Sequence, residues 1–331
     1  MKFGPLPVGR AEGTILAHSI RQSGLRLRKG KILTQDDIRK LEAAGLSEIV
    51  VAQLESGEID ENQAARRLAS GFSIPPDDPD LAVTSAFTGR ANVLAKKAGV
   101  ARIDAQKINA FNQVNPMITL ATVPDFHMID KGGMLATVKV ISFGVKSSDV
   151  VAASACIANA ISLETPKLST AALIVTSLND GNPDKGIEAI RARLARWGVT
   201  LVGVDVVPHT EDAIAGALMT ADAEIALILT ASATSDIQDV APSAVKRSGG
   251  KIERFGMPLD PGNLLFIGAQ GGRPVIGLPG CARSPAMNGT DWVLSRIVCG
   301  IEVRDQDVSA MGVGGLLKEI PTRPHPRNKS G

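Results

Sequence analysis

The feature that most constrains the fold of this chain is an alternation of apolar runs and amphipathic segments in its C-terminal half. Residues 171–176, 200–207 and 225–230 are apolar runs of strand length, typical of strands buried on both faces. Residues 187–197 repeat apolar side chains every three or four positions, which predicts a helix, and residues 213–220 supply a second one. The alternation predicts a three-layer α/β/α fold around a doubly wound, mostly parallel sheet.

More strands and a closing helix are expected after this alternation. Residues 251–255, 264–267 and 275–278 have the length and composition of strands, and a Gly-Gly turn joins the last two. Ser284 is a favourable N-cap, and Pro285 suits the first position of a helix. The sequence therefore predicts that the closing helix starts at this pair.

The whole chain divides into four predicted segments. Residues 1–52 form a small β-rich segment, and residues 53–166 form an α+β region of unknown role. An α/β domain follows at residues 167–315. Residues 316–331 are rich in Pro, Arg and Lys and are expected to be a disordered tail.

The first half carries several local signals for individual elements. Thr34 with Asp37 three residues later is a capping-box pattern that predicts the start of a helix, which Gly45 ends. The other predictions here are helices at 58–70, 90–98 and 105–111, and strands at 48–52, 117–123 and 134–143.

Composition excludes several classes of protein. A net charge of +2 over 331 residues argues against a dedicated nucleic-acid binder. The three cysteines form no CxxC pair, and the four histidines have no ligand spacing, so neither a disulfide framework nor a zinc site is predicted. The N-terminus lacks a signal-peptide pattern, and no apolar run has membrane-spanning length, so a cytoplasmic protein is expected.

One loop between a buried strand and a helix is rich in hydroxyl groups. Ser232, Thr234 and Ser235 cluster there beside the free N–H groups of a helix start, a suitable cradle for a phosphate. Asp236 and Asp239 follow in the same loop. The alternative is that one of these carboxylates only caps the helix while the hydroxyls satisfy the loop backbone.

A second loop after a buried strand has the features of a ligand contact. Pro279 and Gly280 predict a tight turn whose backbone can approach a ligand, and Arg283 can pair with an anion. Ser284 completes this loop. The alternative is a plain turn that leads into a helix cap.

The order of these loops resembles the molybdopterin-binding domain shared by Mog, MoeA and gephyrin. That family has a Gly-Gly-x-Ser/Thr loop followed by Asp, then a Pro-Gly-x-Pro-type stretch, then a Gly-Leu-Pro-Gly-Asn-Pro-x-Ser loop. The counterparts here are Ala231-Ser-Ala-Thr with Asp239, Leu259-Asp-Pro-Gly-Asn-Leu-Leu, and Gly277-Leu-Pro-Gly-Cys-Ala-Arg-Ser. This resemblance spans about residues 168–300, and residues 29–51 are more loosely similar to MoeA.

The resemblance implies a function in molybdenum-cofactor biosynthesis. It implies that the phosphate and dithiolene end of molybdopterin, adenylylated or metallated, lies across the two loops. It implies that Asp239 serves adenylyl transfer or molybdate insertion with Mg²⁺, and that Asp180 is the acidic residue after the first strand. Family members associate as dimers or trimers, and partners would be other cofactor proteins or a molybdoenzyme.

Several functions remain open at this point. The family's paired glycines are replaced by Ala231-Ser232, and its Asn-Pro by Cys281-Ala282, so a molybdenumtransferase-like enzyme and a non-catalytic carrier are both compatible with the sequence. A nucleotide hydrolase or amidase built on the same type of domain is a further alternative. A nicotinamide dehydrogenase is disfavoured because no G-x-G-x-x-G follows a strand.

Overall fold

The computed structural model describes residues 1–22, 24–178 and 183–317. The chain separates into two compact units, Met1–Lys97 with Ala101–Leu163, and Ala98–Val100 with Glu164–Gly331. Asp180 and most of the predicted tail lie outside the described residues. Within the described part, no helix has both the length and the apolar character needed to cross a membrane.

The chain before residue 165 is built from short strands and helices of nine or ten residues. Its strands are β1 Lys2–Pro7, β2 Ile15–Leu16, β3 Ile20–Gln22, β4 Leu25–Leu27, β5 Glu48–Gln53, β6 Glu58–Asp60, β7 Leu81–Val83, β8 Arg90–Ala95, β9 Gly99–Ile103, β10 Ile118–Thr122, β11 Met128–Ile129, β12 Met134–Val140, β13 Gly144–Lys146 and β14 Ile161–Glu164. Its helices are α1 Gln35–Ala43, α2 Glu61–Ser70, α3 Ala105–Val114 and α4 Ser147–Cys156.

The first unit contains two separate clusters of buried apolar side chains. One runs from Val8 to Val51, and the other runs from Ala64 to Leu163. The predicted segment boundary after residue 52 falls between these clusters, although both segments belong to one compact unit. The division into four segments stays a prediction.

The capping signals of the first segment are correct. The Thr34 hydroxyl accepts the Asp37 N–H, and the Asp37 carboxylate accepts the Thr34 N–H, which starts α1. Gly45 has a φ of +80°, a conformation that glycine adopts without strain, and it lies just after this helix. Strand β5 follows where the apolar run predicts a strand.

The predicted helix over residues 90–98 is wrong, because residues 90–95 form strand β8. Ala91, Val93 and Ala95 are buried and alternate with more exposed residues, which is the period of a strand. Strand β8 lies between β7 and β12 in a four-stranded sheet. Pairing with both neighbours supplies backbone hydrogen bonds that an isolated segment lacks. The predicted helix over 58–70 begins at Glu61, where Asp60 is its N-cap.

The second unit consists of a six-stranded sheet and surrounding helices. Its strands are β15 Thr170–Ser177, β16 Thr200–Pro208, β17 Ile225–Leu229, β18 Lys251–Phe255, β19 Phe266–Gln270 and β20 Arg273–Leu278. Its helices are α5 Asp184–Arg196, α6 Glu211–Thr220, α7 Val240–Arg247, α8 Gly289–Val298 and α9 Asp305–Ser309.

The sheet of the second unit is mostly parallel. Its strand order is β16-β15-β17-β20-β19-β18. The first four strands pair in parallel, and β19 and β18 continue the sheet in antiparallel pairing. The mixed α/β class with a mostly parallel sheet is therefore confirmed.

The core of this sheet explains why the apolar runs of β15 and β17 are continuous, whereas the predicted burial of residues 200–207 is wrong because β16 is a partly exposed edge strand. Side chains of α6 and α7 form one cluster with alternate strand residues, including Ile174, Ile228 and Val275. The intervening residues Leu173 and Leu227 are fully buried as well. Helices α5 and α8 contact strands β15, β16 and β20. The three-layer, doubly wound arrangement remains a prediction.

The closing helix does not begin at Ser284-Pro285, as the sequence predicts. Helix α8 begins at Gly289, after Asn288, whose side chain and that of Asp291 form a capping box. The carbonyl groups of residues 282, 284 and 286 accept hydrogen bonds from Arg193, which holds the segment before the helix. The capping box of Asn288 and Asp291 marks where the helix starts.

Candidate functional site

The parallel strands of the second unit end at one edge of the sheet. Ser177 at the end of β15 is level with Pro208 of β16, and Val175 is level with Leu229 of β17. Leu229 is in turn level with Leu278 of β20. The loops that follow these strands therefore start side by side, at the edge where open α/β sheets bind ligands.

One buried hydroxyl group links three of these strand ends. Thr176 Oγ1 accepts the N–H of Ala231 at 2.7 Å and lies 2.9 Å from Nδ1 of His209. Thr176 is only 3% exposed, so this group is shielded from water. When Nδ1 of His209 accepts the threonine proton, its Nε2 carries the ring hydrogen. The contacts fix the starts of the loops after β15, β16 and β17 relative to one another.

Arg283 joins the loop after β20 to the loop after β17. Its Nη2 donates to the carbonyl oxygen of Thr230 at 2.6 Å. Burial lowers the pKa of the Arg283 guanidinium, which nevertheless stays cationic. Arg283 also packs closely against Gly186, in the first turn of α5. A Cβ atom at this glycine would lie 3.4 Å from Cγ of Arg283 and 2.9 Å from Cδ2 of Leu229. The two predicted loops therefore converge, with a partly buried cation between them.

Arg193 of α5 holds the loop after β20 through several hydrogen bonds. Its guanidinium donates to the carbonyl oxygens of Ala282 at 2.7 Å, Ser284 at 2.6 Å and Ala286 at 2.8 Å. Its Nε donates to Oδ1 of Asp291 at 3.0 Å. One buried side chain thus contacts three carbonyl groups of the loop, the Ala189 carbonyl of its own helix and one carboxylate. The loop that carries Arg283 is therefore held in place by hydrogen bonds from Arg193.

The predicted hydroxyl cluster after β17 is present, but its members have different surroundings. Thr230 Oγ1 donates to the Ser232 carbonyl at 2.6 Å and lies 3.4 Å from Oγ1 of buried Thr234. The Ser235 hydroxyl donates to the Ala233 carbonyl at 3.3 Å. The Ser232 side chain is exposed, and its hydroxyl has no hydrogen-bond partner among residues 1–22, 24–178 and 183–317. Ser232 is therefore the hydroxyl best placed to meet a ligand.

The two carboxylates of this loop organise its backbone. Asp239 is the N-cap of α7: its Oδ1 accepts the Val240 N–H at 2.7 Å, and its Oδ2 accepts the Ser235 N–H at 2.9 Å. Asp236 Oδ1 accepts the Gln238 N–H at 2.7 Å. In the part of the chain that the structure describes, no group of three His, Cys, Asp or Glu residues could hold a metal ion. The helix-capping alternative thus describes the contacts of Asp239.

The other predicted residues lie in the short 3-10 turn after β20. This turn covers Gly280–Arg283 and follows buried Pro279. A Cβ atom at Gly280 would meet no atom within 4 Å, so its backbone borders open space. The exposed hydroxyl of Ser284 accepts the Ala286 N–H at 3.3 Å. Asp180, the predicted acidic residue of the loop after β15, lies outside the described residues.

Comparison with known families identifies the second unit. Residues 170–297, from β15 to α8, match a family model described as a probable molybdopterin binding domain. The second unit carries a molybdopterin-binding domain. Residues 5–53 match a separate model, a domain of unknown function (DUF8806). No curated protein matches the chain.

Solved structures similar to this chain are distant from it. A MoeA molybdopterin biosynthesis protein from Pyrococcus horikoshii is 12% identical over 90% of this chain and 75% of its own, with a TM-score of 0.32. Molybdenum cofactor biosynthesis protein B is 16% identical over 41% of this chain and 96% of its own, with a TM-score of 0.30. A molybdenum cofactor biosynthesis protein from Pyrococcus furiosus is 14% identical over 91% and 66%, with a TM-score of 0.26. These scores do not establish a common fold.

The donor set of the molybdopterin-binding domain suits an anion better than a divalent cation. The Arg283 guanidinium, the Ser232 hydroxyl and the open backbone of Gly280 are groups that bind phosphate oxygens. Asp239 supplies one carboxylate whose two oxygens already accept N–H groups. Mg²⁺ requires more oxygen ligands than this, so the residues fit a pterin phosphate and do not by themselves form a magnesium site.

Sequence reasoning missed several residues that shape the molybdopterin-binding domain. Thr176 and Arg193 were not among the predicted site residues, although they fix the two loops. Thr176 is a hydroxyl at the end of an otherwise apolar run, which is a usable signal. Arg193 is a cation on the apolar face of an amphipathic helix, and its buried position predicts a specific partner. Asn288 with Asp291 was a second capping box that the Ser284-Pro285 pair obscured.

Proposed function

We propose that the protein binds molybdopterin through the loops after β17 and β20 and acts in molybdenum-cofactor biosynthesis. The observation that carries this proposal is the hydrogen bond from Arg283 to the Thr230 carbonyl, which brings both predicted loops to one place in a molybdopterin-binding domain. In the proposal, Arg283 and the Ser232 hydroxyl bind the terminal phosphate, and Gly280 leaves room for the pterin beside them.

The role of each residue follows from its contacts. Arg283 has an anchored side chain, so little conformational entropy is lost when it binds a phosphate. Buried Thr234 and exposed Ser235 contact groups of their own loop, and Ser284 adds an exposed hydroxyl next to Arg283. Asp236 and Asp239 hold the loop through backbone N–H groups. A catalytic or Mg²⁺-binding role for Asp239 requires additional oxygens from the bound phosphate.

Binding is tested by calorimetry of the purified full chain with molybdopterin. Saturable binding by the native protein, weakened by about tenfold or more in Arg283→Ala and retained in Arg191→Ala, is the expected result. Arg191 is a matched control because it lies on exposed α5 surface, where it pairs with Glu188. Absence of binding by the native protein would contradict the proposal.

A second measurement separates a molybdenumtransferase-like enzyme from a carrier. Adenylylated molybdopterin is incubated with the protein, molybdate and Mg²⁺, and the release of AMP is followed. Release that Asp239→Asn abolishes supports the enzyme, with Asp239 as its catalytic residue. Binding without release supports a cofactor carrier that delivers to other cofactor proteins or to a molybdoenzyme in the cytoplasm.

The nucleotide hydrolase or amidase is the remaining alternative. It predicts release of phosphate or ammonia from a nucleotide substrate, which neither a carrier nor a transferase produces. His209 Nε2 would be the candidate proton-transfer group, because the contact of Nδ1 with Thr176 holds the ring at the strand ends. A screen of nucleotides with His209→Gln as control tests this alternative directly.

We also propose that the protein forms a homo-oligomer. Val202 and Val206 lie on the edge strand β16, and each is 51% exposed. Exposed apolar residues on a sheet edge favour pairing with another chain. Sedimentation of the native protein and of Val202→Lys tests this expectation; a monomeric native protein would exclude a homo-oligomer.

A further inference from the structure

The first unit contains a cavity lined by an unusual number of cations. It has a volume of about 730 Å³, within the range of small-molecule sites. It lies in the unit that contains the domain of unknown function, so it is distinct from the proposed pterin site. Its lining includes Arg21, Arg26, Arg28, Lys29, Lys31, Glu61 and Phe87.

The cations are arranged by the hairpin of β3 and β4. Arg21 and Arg26 are direct cross-strand partners, so their side chains leave the same face of the hairpin. Leu27, next to Arg26, packs into the apolar cluster of the first segment, so the two neighbours face opposite sides of the strand. The hydrophobic face thus fixes the hairpin, its other face presents Arg21 and Arg26, and Arg28, one residue past β4, also lines the cavity.

Four of these cations have no close acidic partner. Among the described residues, Arg21, Arg26, Arg28 and Lys29 form no ion pair within 4.0 Å, although the Glu61 carboxylate interacts electrostatically with Lys29. Lys31 differs, because it pairs with buried Asp37. Like charges placed directly opposite each other on a hairpin are destabilising, so the arrangement of Arg21 and Arg26 has a cost that an anion would remove.

The cavity is also lined by an aromatic ring and by one carboxyl group, Phe87 and Glu61. Phe87 is 76% exposed and is held by a tight turn in which Phe87 and Arg90 exchange backbone hydrogen bonds of 3.0 and 3.1 Å. Glu61 lies at the start of α2. Burial raises the pKa of the Glu61 carboxyl, and the ammonium groups of Lys139 and Lys29 oppose that shift. An exposed aromatic ring beside arginines can stack on a planar group.

We propose that this cavity binds a small molecule with two or more linked phosphates, held by Arg21, Arg26 and Arg28. Three guanidinium groups around one cavity match the several oxygens of a di- or triphosphate, since each can donate two parallel hydrogen bonds to a phosphate. One orthophosphate carries too little charge to neutralise all of them. Phe87 distinguishes the source of the phosphates, because it contributes only when a planar base is attached to them.

The test measures binding to the full chain by calorimetry at constant ionic strength. The ligands are orthophosphate, tripolyphosphate and a nucleoside triphosphate. Saturable binding of tripolyphosphate, without comparable binding of orthophosphate or sulfate, is the expected result. Tighter binding of the nucleoside triphosphate, lost in Phe87→Ala, identifies a nucleotide as the ligand. Equal binding of all the anions would indicate only non-specific attraction by the positive charges and would overturn the proposal.

Variants separate binding from folding. Arg21→Ala and Arg26→Ala should each weaken tripolyphosphate binding by about tenfold or more, the factor for one lost charge-assisted hydrogen bond. Arg21→Glu should abolish binding while the melting temperature without ligand stays equal or rises, because the like-charge pair becomes an opposite-charge pair. Glu61→Gln should tighten binding, since it removes a negative charge. Exposed Arg39 on α1 lies outside the cavity, and Arg39→Ala should bind as the native protein does.

A fluorescence reporter locates the ligand. Trp197 and Trp292 belong to the second unit, so Phe87→Trp introduces a distinct fluorophore into the first unit. Tripolyphosphate should change the emission of Phe87→Trp and leave that of Phe3→Trp unchanged, since Phe3 is exposed outside the cavity. Equal changes in both variants, unchanged binding in Arg21→Glu, or binding of a single-stranded oligonucleotide in place of triphosphate would each overturn the proposal.

Discussion

Arg193 and Asp291 form a buried ion pair, with Nε of the arginine 3.0 Å from Oδ1 of the aspartate. Arg193 is 6% exposed and also holds the carbonyl groups of the loop that carries Arg283. Asp291 accepts the Asn288 N–H through its other oxygen and so starts α8. The pair therefore connects helix α5 to the loop after β20 and to the closing helix.

Replacement of Arg193 by Met should destabilise the second unit by about 3 kcal/mol, because it leaves a carboxylate and three carbonyl groups without their donor. Urea unfolding followed by the emission of Trp197 and Trp292 measures this, since both fluorophores belong to that unit. The free energy of unfolding of Arg193→Lys should lie between those of the native protein and Arg193→Met. A curve for Arg193→Met that coincides with the native one would contradict the anchoring role.

Arg283→Ala should weaken molybdopterin binding by about tenfold or more and change stability by only about 1 kcal/mol, the value of its single hydrogen bond to Thr230. Arg283→Lys keeps the charge and should bind with intermediate affinity, because an ammonium group cannot contact a phosphate through two parallel bonds. Calorimetry gives the affinities and thermal unfolding gives the stabilities. Equal affinity of all three proteins would exclude Arg283 from the site.

Gly280→Ala should leave the stability within about 0.5 kcal/mol of the native value, because its new methyl group meets open space. It should weaken pterin binding, since that space is where the ligand is proposed to approach. Gly277→Ala is the matched contrast: its Cβ would lie 1.9 Å from Cε1 of Phe266, so it should cost about 1–3 kcal/mol through overpacking. Unchanged binding in Gly280→Ala would move the ligand elsewhere.

Asp37 should contribute stability to the first unit that depends on pH. Burial raises the pKa of this carboxyl, but hydrogen bonds from Lys31 and Thr34 outweigh it and lower the pKa from 3.8 to about 2. Such a group stabilises the folded state above its unfolded pKa, by about 2 kcal/mol here, and the contribution is lost as the pH falls through about 2.

The matching measurement is amide hydrogen exchange in α1 of the native protein and of Asp37→Asn. Exchange in the variant should be faster at neutral pH, and the two proteins should converge as the pH falls from about 4 to about 2. A difference that stays constant over this interval would show that the effect of Asp37 does not arise from its charge.

The three cysteines should differ in reactivity. Burial, aided by the negative charge of Glu164, raises the pKa of the Cys299 thiol to about 12, so it is not a thiolate at ordinary pH. Cys156 and Cys281 are partly exposed. Mass spectrometry after alkylation should find both of these modified and Cys299 modified only after unfolding. Molybdopterin should slow the alkylation of Cys281, whose loop it is proposed to contact.

The sequence predicts those parts of the fold that local chemistry determines. The continuous apolar runs around Leu173 and Leu227 give the central strands, and the Thr34 capping box gives α1. The meeting of two ligand loops follows from the parallel strand order, since carboxyl ends of parallel strands share one edge.

What the sequence does not predict depends on contacts between distant residues. Residues 90–95 contain Ala and Val at spacings compatible with a helix or a strand, and only the neighbours β7 and β12 decide between them. The loop before α8 is held by Arg193, about a hundred positions earlier. Asp239 fits both a helix-capping pattern and the family pattern in the sequence. Only its hydrogen bonds in the structure show that it caps α7.

The position of β20 inside the sheet also governs how the second unit is completed during synthesis. This strand lies between β17 and β19 although both precede it in the chain. Until residue 278 has left the ribosome, the nascent chain presents two apolar strands whose hydrogen-bonding edges lack a neighbour. The newly made protein is therefore most vulnerable to aggregation just before this strand emerges, and chaperones that cover strand edges would act on it at that stage.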